Sequence, residues 1–222
     1  MRRSRRRRRR TPGRPRQTSR PEAEGRRPIA VAITGGIGAG KSAALDAFRA
    51  HGAATVSSDE IVHHLLATDD EVRDALVAKL GPEILGDDGR PDRSKIGKRV
   101  FADRELLAWL EGLLHPLVSR EYLEWREQLA RLPEPPRVCV TEVPLLFEVG
   151  AQERFDRVVV VTAPKALREQ RRRVPLDTRD DRLLPDREKV RRADFHYVNT
   201  GTFDDLDAWV GGVMADLANG TG

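Results

Sequence analysis

Short apolar runs alternate along the chain with longer stretches in which apolar residues recur at helical spacing. Residues 29–34 read IAVAIT, residues 137–146 read RVCVTEVPLL and residues 155–163 read FDRVVVVTA. A short, continuous run of this kind is typical of a strand buried on both faces of a parallel sheet. Weaker runs at 53–57 and 195–201 predict two further strands.

Helical patterns fill the intervals between these strands. Residues 41–52 predict a helix that ends at a glycine, which suits a C-terminal cap. Residues 59–136 are mostly helical in pattern, with a turn at 86–93 where the chain reads GDDGRPDR. A basic helix is expected at 164–173 and a closing helix at 203–218. The alternation predicts an α/β fold in which helices flank a parallel sheet.

The length and composition agree with that fold. A chain of 222 residues suits one α/β domain or a domain with an insertion. Hydrophobic residues make up 39% and charged residues 34%. The chain has no run of 18 apolar residues, so no membrane span is predicted. The single cysteine, Cys139, excludes an internal disulfide and a cysteine-based metal site, which favours a reducing cytoplasm.

The net charge of +5 is unevenly distributed. Residues 1–28 contain 13 arginines against two glutamates, which leaves 27 Lys and Arg against 33 Asp and Glu in the rest. The segment has four prolines and no apolar periodicity, so we expect a disordered tail attached to an acidic body. Two interpretations stay open: an arm that binds nucleic acid or an anionic surface, or a dispensable extension, including one that results from a misplaced start.

The loop between the first predicted strand and helix has the composition of a phosphate-binding loop. Gly35, Gly40, Lys41 and Ser42 satisfy the pattern G-x-x-x-x-G-K-[ST]. Glycines let backbone N–H groups approach phosphate oxygens where side chains would block them, and the following helix directs its positive end at the anion. Lys41 is expected to reach the β- and γ-phosphates, and the Ser42 hydroxyl to join a Mg²⁺ shell. We therefore predict a site for ATP and Mg²⁺.

A triphosphate site alone leaves a transferase, a GTPase switch and an ATP-driven machine as alternatives. No N-K-x-D motif, which specifies guanine, occurs in the chain. A folded body of about 190 residues is small for a motor domain. A small kinase that transfers the γ-phosphoryl group to a metabolite is the favoured class.

The acceptor side of such a kinase requires a carboxylate near the hydroxyl that is phosphorylated. Asp59 follows the second predicted strand, and parallel sheets gather ligands at the carboxyl ends of their strands. Asp59 is therefore the candidate catalytic base. The alternative is that Asp59 caps the following helix, since aspartate is a preferred N-cap, and the two roles are compatible.

Several segments together resemble the dephospho-CoA kinase family over residues 29–218. In order they read ITGGIGAGKS, SSDEIV, LGPEILGDDGRPDR, RVFAD, LEGLLHPLV, VTEVPLLFE, DRVVVVTAP and RRADFHYVNTG. The resemblance implies a P-loop nucleoside-triphosphate hydrolase fold with a core at 29–62 and 137–222. It also implies a helical CoA-side insertion at 63–136 and a short lid at 165–192. The implied reaction is ATP-dependent phosphorylation of the ribose 3′-hydroxyl of dephospho-CoA.

The resemblance also implies roles for individual residues. The ATP-binding residues would be Gly36, Ile37, Gly38, Ala39, Gly40, Lys41, Ser42 and Ala43, with Asn199 near the adenine. Asp59 matches the catalytic base, while Arg93 and His115 match the substrate side. Ser42 and Glu142 would hold Mg²⁺. For Asn199 the alternative is a turn residue, and for His115 a helix-capping or packing role.

The chain departs from the family pattern at several positions. Ser57 replaces the first acid of the usual D-x-D, Ala43 replaces Thr or Ser, and His63 stands where arginine is frequent. The lid is several residues shorter than usual, and Leu183 replaces a glutamine.

Arginines remain plentiful in the lid: Arg168, Arg171, Arg172, Arg173, Arg179 and Arg182. In such kinases, lid arginines stabilise charge in the transition state, and Arg173 and Arg179 are the candidates here. The alternative for each is a solvated helix face. The acidic body disfavours nucleic acid as a partner, and we expect a monomer or weak oligomer.

Overall fold

The structure, a computed structural model, describes residues 27–171 and 183–220. Its strands are β1 (Ile29–Thr34), β2 (Ala54–Ser57), β3 (Val138–Glu142), β4 (Arg157–Thr162) and β5 (Phe195–Val198). Its α-helices are α1 (Lys41–Ala50), α2 (Ser58–Thr68), α3 (Asp70–Leu80), α4 (Arg93–Val100), α5 (Arg104–Ala130), α6 (Lys165–Arg171), α7 (Asp186–Arg191) and α8 (Phe203–Asn219). Short 3₁₀ helices occur at Pro82–Ile84 and Gln152–Arg154.

The five strands form one parallel sheet in the order β2-β3-β1-β4-β5, which confirms the predicted α/β class. Glu142, the last residue of β3, lies opposite both Ile33 and Ser57. Thr34, the last residue of β1, lies opposite Val160. The register therefore brings the carboxyl ends of β1, β2 and β3 to one edge, where the candidate site residues follow.

The alternation of side chains along β1 explains the two layers of helices. Val31 and Ile33 pack with α1 and α8 on one face, where Phe48 and Val210 are fully buried. Ala32 packs on the other face with the segment that follows β3 and with α7. Burial of each such large side chain contributes ~1.5–3 kcal/mol, so both faces hold the central strands in place.

The helices between β2 and β3 have a core of their own. Leu76, Leu80, Val100 and Leu114 are buried together among α3, α4 and α5. A smaller cluster of α2 and α5 residues, which includes Tyr122, connects this group to the sheet. This arrangement places α2 and α5 beside the carboxyl edge of β2 and β3.

Helix α5 runs for 27 residues although Pro116 lies inside it. Proline removes one backbone donor and is normally costly in a helix interior. Here the buried residues Leu114, Val118 and Tyr122 lie on either side of the proline and fix the helix to its neighbours. Packing of the apolar face thus outweighs the local cost.

The structure also refines three sequence predictions. The strand predicted at 137–146 ends at Glu142, and the chain then turns across the sheet. Helix α7 was not predicted, because its sequence DREKVR lacks an apolar stripe. The C-cap of α1 is His51, and Gly52, the predicted cap, is the next residue and has a φ of +86°, which suits the glycine that follows a helix C-cap. No helix of the described ranges is long and apolar enough to cross a membrane.

Some predictions fall on residues outside the described ranges. They are the tail up to residue 26 and four of the lid arginines: Arg172, Arg173, Arg179 and Arg182. The proposed catalytic roles of Arg173 and Arg179 therefore stay predictions.

Candidate functional site

The predicted phosphate-binding loop connects β1 to α1, at the carboxyl edge of the sheet. Gly40 is the N-cap of α1 and has a φ of +96°, a backbone conformation that residues other than glycine rarely adopt. A Cβ atom there would lie 2.1 Å from Asn199 Nδ2. Only glycine therefore fits at this position. A phosphate-binding loop requires such close packing, and we call residues 35–42 the cradle.

Lys41 projects from the first turn of α1 into the edge of the sheet. Its side chain is 10% exposed, and its Nζ donates to the Gly36 carbonyl oxygen at 3.3 Å and lies 3.8 Å from Glu142 Oε1. Burial lowers the pKa of Lys41, while the carboxylates of Glu142 and Asp59 oppose that shift. The ammonium group thus contacts both the loop and Glu142, and it also interacts electrostatically with Asp59.

Glu142, the last residue of β3, and Ser42, the second residue of α1, lie next to each other. The Ser42 hydroxyl donates to Glu142 Oε2 at 3.4 Å. Burial raises the pKa of Glu142, and the neighbouring Lys41 opposes the rise. Two oxygen donors suit Mg²⁺, which prefers one or two carboxylates plus substrate phosphates to a cage of protein ligands. Residues 27–171 and 183–220 contain no cluster of three or more His, Cys, Asp or Glu side chains that could hold a metal ion.

Asp59 lies in the first turn of α2 and is 83% exposed. The alternative that Asp59 caps α2 is wrong: the N-cap is Ser57, whose side chain accepts from the Glu60 backbone N–H. Glu60 completes the capping box by accepting from the Ser57 N–H, so the carboxylate of Asp59 is not used in the cap. Ser57, which replaces the first acid of the family pattern, therefore has a structural role.

Arg93 connects the helical insertion to Asp59. It is the first residue of α4, and its Nη2 lies 3.6 Å from Asp59 Oδ1. Arg93 is 49% exposed and Asp59 is 83% exposed, so the ion pair contributes little to stability. Its significance is in placing a guanidinium fork beside the candidate base, where an anionic acceptor would bind.

A mostly apolar cavity of about 200 Å³ opens beside Asp59. The cavity is lined by residues of α5, including His115, Val118 and Tyr122, and by Val143 to Leu145. A capping role for His115 is wrong, because His115 lies in the interior of α5. The structure thus brings Asp59 and His115 to one cavity, as expected for a substrate site.

Asn199 follows β5 and is buried against the cradle. Its Nδ2 donates to the Ala39 carbonyl oxygen at 3.0 Å, and its Oδ1 accepts from Arg171 at 3.4 Å. The side chain therefore braces the loop in addition to any contact with adenine. Asn199 directly follows β5 and is buried, so its environment is not that of an exposed turn residue.

Two contacts at this edge were not predicted. The Arg168 guanidinium lies against Gly36, where a Cβ atom would be 2.2 Å from Nη1. Lys189 of α7 is fully buried, and its Nζ lies 2.8 Å from Glu148 Oε1. A lysine within DREKVR gives no sign of burial, and no local pattern connects it with Glu148.

The apolar residues before Glu148 are mainly packing residues. Leu146 and Phe147 are buried in the core on the α7 face of the sheet. Leu145 is different, because it lines the cavity beside Asp59.

Comparisons with known proteins agree with this geometry. The family model for dephospho-CoA kinase matches residues 29–205. A dephospho-CoA kinase from Frankia casuarinae is 35% identical over 193 residues, which cover 84% of this chain and 82% of the relative. A solved Thermus thermophilus structure, TT1252, has a TM-score of 0.68 at 33% identity and covers 86% of this chain and 99% of its own. The solved dephospho-CoA kinase from Campylobacter jejuni has a TM-score of 0.62 at 26% identity and covers 86% and 98%, respectively.

Proposed function

Because this chain belongs to the dephospho-CoA kinase family, we propose that it transfers the γ-phosphoryl group of ATP to the ribose 3′-hydroxyl of dephospho-CoA. The product would be coenzyme A, and the step would be the last of its biosynthesis. One observation carries the proposal: an exposed carboxylate, Asp59, lines an apolar cavity and also interacts electrostatically with Lys41 of the phosphate cradle. That placement suits a reaction in which a hydroxyl attacks a phosphoryl group.

On the donor side, we assign the triphosphate to residues 36–43. The backbone N–H groups of the loop would bind its oxygens, and the N-terminal end of α1 would favour their charge. Lys41 is held at the Gly36 end of the loop, where an ammonium group can reach the β- and γ-phosphates. Asn199 would fix the loop through its bond to Ala39 while lying on the adenine side.

On the acceptor side, Asp59 orients the ribose hydroxyl and accepts its proton as the new P–O bond forms. The bond between the γ-phosphorus and the bridging oxygen of ADP breaks in the same displacement. Arg93, 3.6 Å from Asp59, is suited to the diphosphate of the acceptor. His115 and the apolar wall of α5 would contact the rest of the substrate.

Ser42 and Glu142 are the residues that would hold Mg²⁺. The ion, when bound, neutralises charge on the β- and γ-phosphates. The Ser42 hydroxyl would be a direct ligand, and the Glu142 carboxylate would act directly or through water. The observation that supports this assignment is the hydrogen bond from the Ser42 hydroxyl to Glu142, which brings the two oxygen ligands together.

We also propose a cytoplasmic location and a monomer or weak oligomer. Cys139 supports the reducing compartment, since it is a buried free thiol. Burial raises the pKa of this thiol to about 11, so the reactive thiolate is scarce at neutral pH. Sedimentation of the full chain at micromolar concentration would test the assembly state.

The acceptor distinguishes this proposal from its alternatives. Purified full-length protein is given ATP, Mg²⁺ and one acceptor from a panel: dephospho-CoA, adenosine, a sugar acid or water. We expect ADP release above the water rate only with dephospho-CoA, its loss with EDTA and its recovery with added Mg²⁺. Equal turnover on another hydroxylated metabolite would replace the substrate assignment.

A second alternative is a nucleotide-dependent nucleic-acid-binding protein that uses the arginine-rich tail. It predicts tight, salt-sensitive binding of RNA or DNA that disappears when residues 1–28 are removed. The kinase proposal predicts that phosphoryl transfer survives the same deletion. Family membership favours the kinase.

Filling the cavity is expected to weaken acceptor binding alone. Val118 is buried and lines the cavity, so Val118→Phe places a larger side chain where the substrate would bind. We expect the KM for dephospho-CoA to rise ~10-fold, equivalent to ~1.4 kcal/mol, with the KM for ATP within about twofold of the unsubstituted protein. Steady-state kinetics with each substrate varied in turn would measure both values.

Leu123→Phe is the matched control, because Leu123 lies on the same helix but is 38% exposed and outside the cavity. It should leave both KM values unchanged. A normal KM for dephospho-CoA in Val118→Phe would exclude this cavity as the acceptor site.

A further inference from the structure

Arg168, on α6, contacts the same residue of the cradle that Lys41 contacts. A Cβ atom at Gly36 would lie 2.2 Å from Arg168 Nη1, while Lys41 Nζ donates to the Gly36 carbonyl oxygen at 3.3 Å. The Arg168 backbone also lies close to the loop, since a Cβ at Gly38 would lie 2.9 Å from the Arg168 carbonyl oxygen. Because the P-loop lysine reaches the β- and γ-phosphates, the Arg168 guanidinium lies at the end of the cradle where these phosphates would bind.

The hydrogen-bonding capacity of Arg168 is incompletely used. Its side chain is 22% exposed, and its Nε is buried without a hydrogen-bond partner in the part of the chain that the structure describes. A guanidinium keeps its charge at all ordinary pH values, and a buried donor without an acceptor is costly. Phosphate oxygens at the γ end of the cradle would supply the acceptors.

Asp186, the first residue of α7, directs the Arg168 side chain. Its Oδ2 lies 3.6 Å from Arg168 Nη1, so α6 and α7 are connected across the cradle. Asp186 Oδ1 lies 3.6 Å from the Cβ position at Gly36, which places the carboxylate behind the guanidinium at the same point of the loop.

Helix α7 has only six residues and cannot hold its own position, since isolated helices of this length are unstable in water. A buried ion pair fixes it: Lys189 Nζ lies 2.8 Å from Glu148 Oε1, and the Leu184 backbone N–H donates to the same oxygen at 2.9 Å. Glu148 therefore anchors both α7 and the segment that enters it. Burial of a lysine is costly unless its partner is held in place, which indicates that this position is defined closely.

We infer that Asp186, Lys189 and Glu148 are positioning residues for a phosphate-binding Arg168. Glu148 and Lys189 fix α7 against the core, and Asp186 on that helix holds the Arg168 guanidinium at the γ-phosphate end of the cradle. The inference rests on the proposed function only in taking ATP as the donor, and it assigns Arg168 the contact that the sequence favoured for Arg173 and Arg179.

Nucleotide binding without any acceptor tests the inference. Full-length protein is titrated by calorimetry, in Mg²⁺, with ADP and with adenylyl imidodiphosphate, a non-hydrolysable ATP analogue. In Arg168→Gln we expect the Kd of the analogue to rise ~10–100-fold, as for loss of a hydrogen bond to a charged group, and the Kd of ADP to rise less. Arg168→Lys should recover part of the loss, because it keeps the charge without the fork.

Asp186→Asn is expected to raise the Kd of the analogue ~3–10-fold in the intact protein and to have no further effect in Arg168→Gln. Such non-additivity shows that the carboxylate acts through the guanidinium, which a general loss of stability does not produce. Arg187→Gln is the matched control, because Arg187 lies on the same helix and is exposed. It should change neither Kd.

The anchor is tested with a variant that leaves no buried charge. Glu148→Gln with Lys189→Met replaces the pair by neutral groups, so the protein is expected to fold, and thermal unfolding checks that it does. We expect it to lose affinity for the analogue as Asp186→Asn does. An equal loss for ADP and the analogue in Arg168→Gln, or additive effects of Asp186→Asn, would overturn the inference, whatever acceptor the enzyme uses.

Discussion

Replacement of Asp59 by asparagine is expected to lower kcat ~10²–10⁴-fold while the affinity for ATP is preserved. Asparagine keeps the size and the hydrogen-bonding oxygen of the side chain but cannot accept a proton. The Asp59 carboxylate is not used in the helix cap, which Ser57 and Glu60 form, so α2 should begin at the same residue. The loss would therefore report on chemistry rather than on folding.

Single-turnover kinetics at saturating substrates, with a separate titration of ATP, would measure the two effects. Asp74→Asn is a suitable control, because Asp74 is an aspartate of α3 that is 70% exposed and does not line the cavity beside Asp59. Near-normal turnover in Asp59→Asn would remove Asp59 as the base. A higher KM for dephospho-CoA with normal kcat would make it a binding residue.

The candidate site was largely predictable because its main residues follow strands. Lys41 and Asp59 come shortly after short apolar runs, whereas Glu142 lies inside the run at 137–146 and was implied by the family resemblance. Since the strands are parallel, their carboxyl ends meet at one edge and bring these side chains together. Local patterns were sufficient there because the sheet itself supplies the long-range order.

The cap of α2 shows how two local signals compete. Asp59 and Ser57 are both residue types that cap helices, and the sequence alone left Asp59 as an alternative cap. The spacing of Ser57 and Glu60, which fits the capping-box pattern S-x-x-E, was the signal that identifies the observed cap. That pattern leaves the Asp59 carboxylate available for another role.

The position of α7 could not be predicted from its own residues. DREKVR has charges on every side, and nothing local indicates that Lys189 is the buried one. Burial becomes favourable only because Glu148, 41 positions earlier, lies opposite it in the fold. The contact between Arg168 and Gly36 likewise depends on where α6 returns over the loop.

Replacement of Lys41 by alanine is expected to abolish phosphoryl transfer. The P-loop pattern directs the Lys41 ammonium group at the β- and γ-phosphates, and the next residues of α1, Ser42 to Ala44, carry no charge that could replace it. We expect kcat/KM to fall to the background of the assay, with ADP release measured in the presence of dephospho-CoA. Lys41→Arg should stay severely impaired, because a planar fork does not reproduce a compact ammonium group.

The same substitution is expected to make stability depend on pH. Burial already raises the pKa of Glu142 above its ordinary value of 4.5, and Lys41 is the group that opposes the rise most. Without Lys41 the folded protein should hold the Glu142 proton more tightly than the unfolded chain does. A raised folded pKa means that the folded state binds more protons, so stability is retained at low pH and lost as pH rises.

Thermal unfolding of Lys41→Ala between about pH 5 and pH 8 would measure this effect. We expect the deficit against the unsubstituted protein to be smallest at the acidic end and to grow toward the alkaline end. Adding Glu142→Gln should remove that growth, because a neutral amide has no proton to lose. A deficit that stays constant over the range, or one that persists unchanged in the double variant, would show that Lys41 and Glu142 are not coupled and that Lys41 serves the phosphates alone.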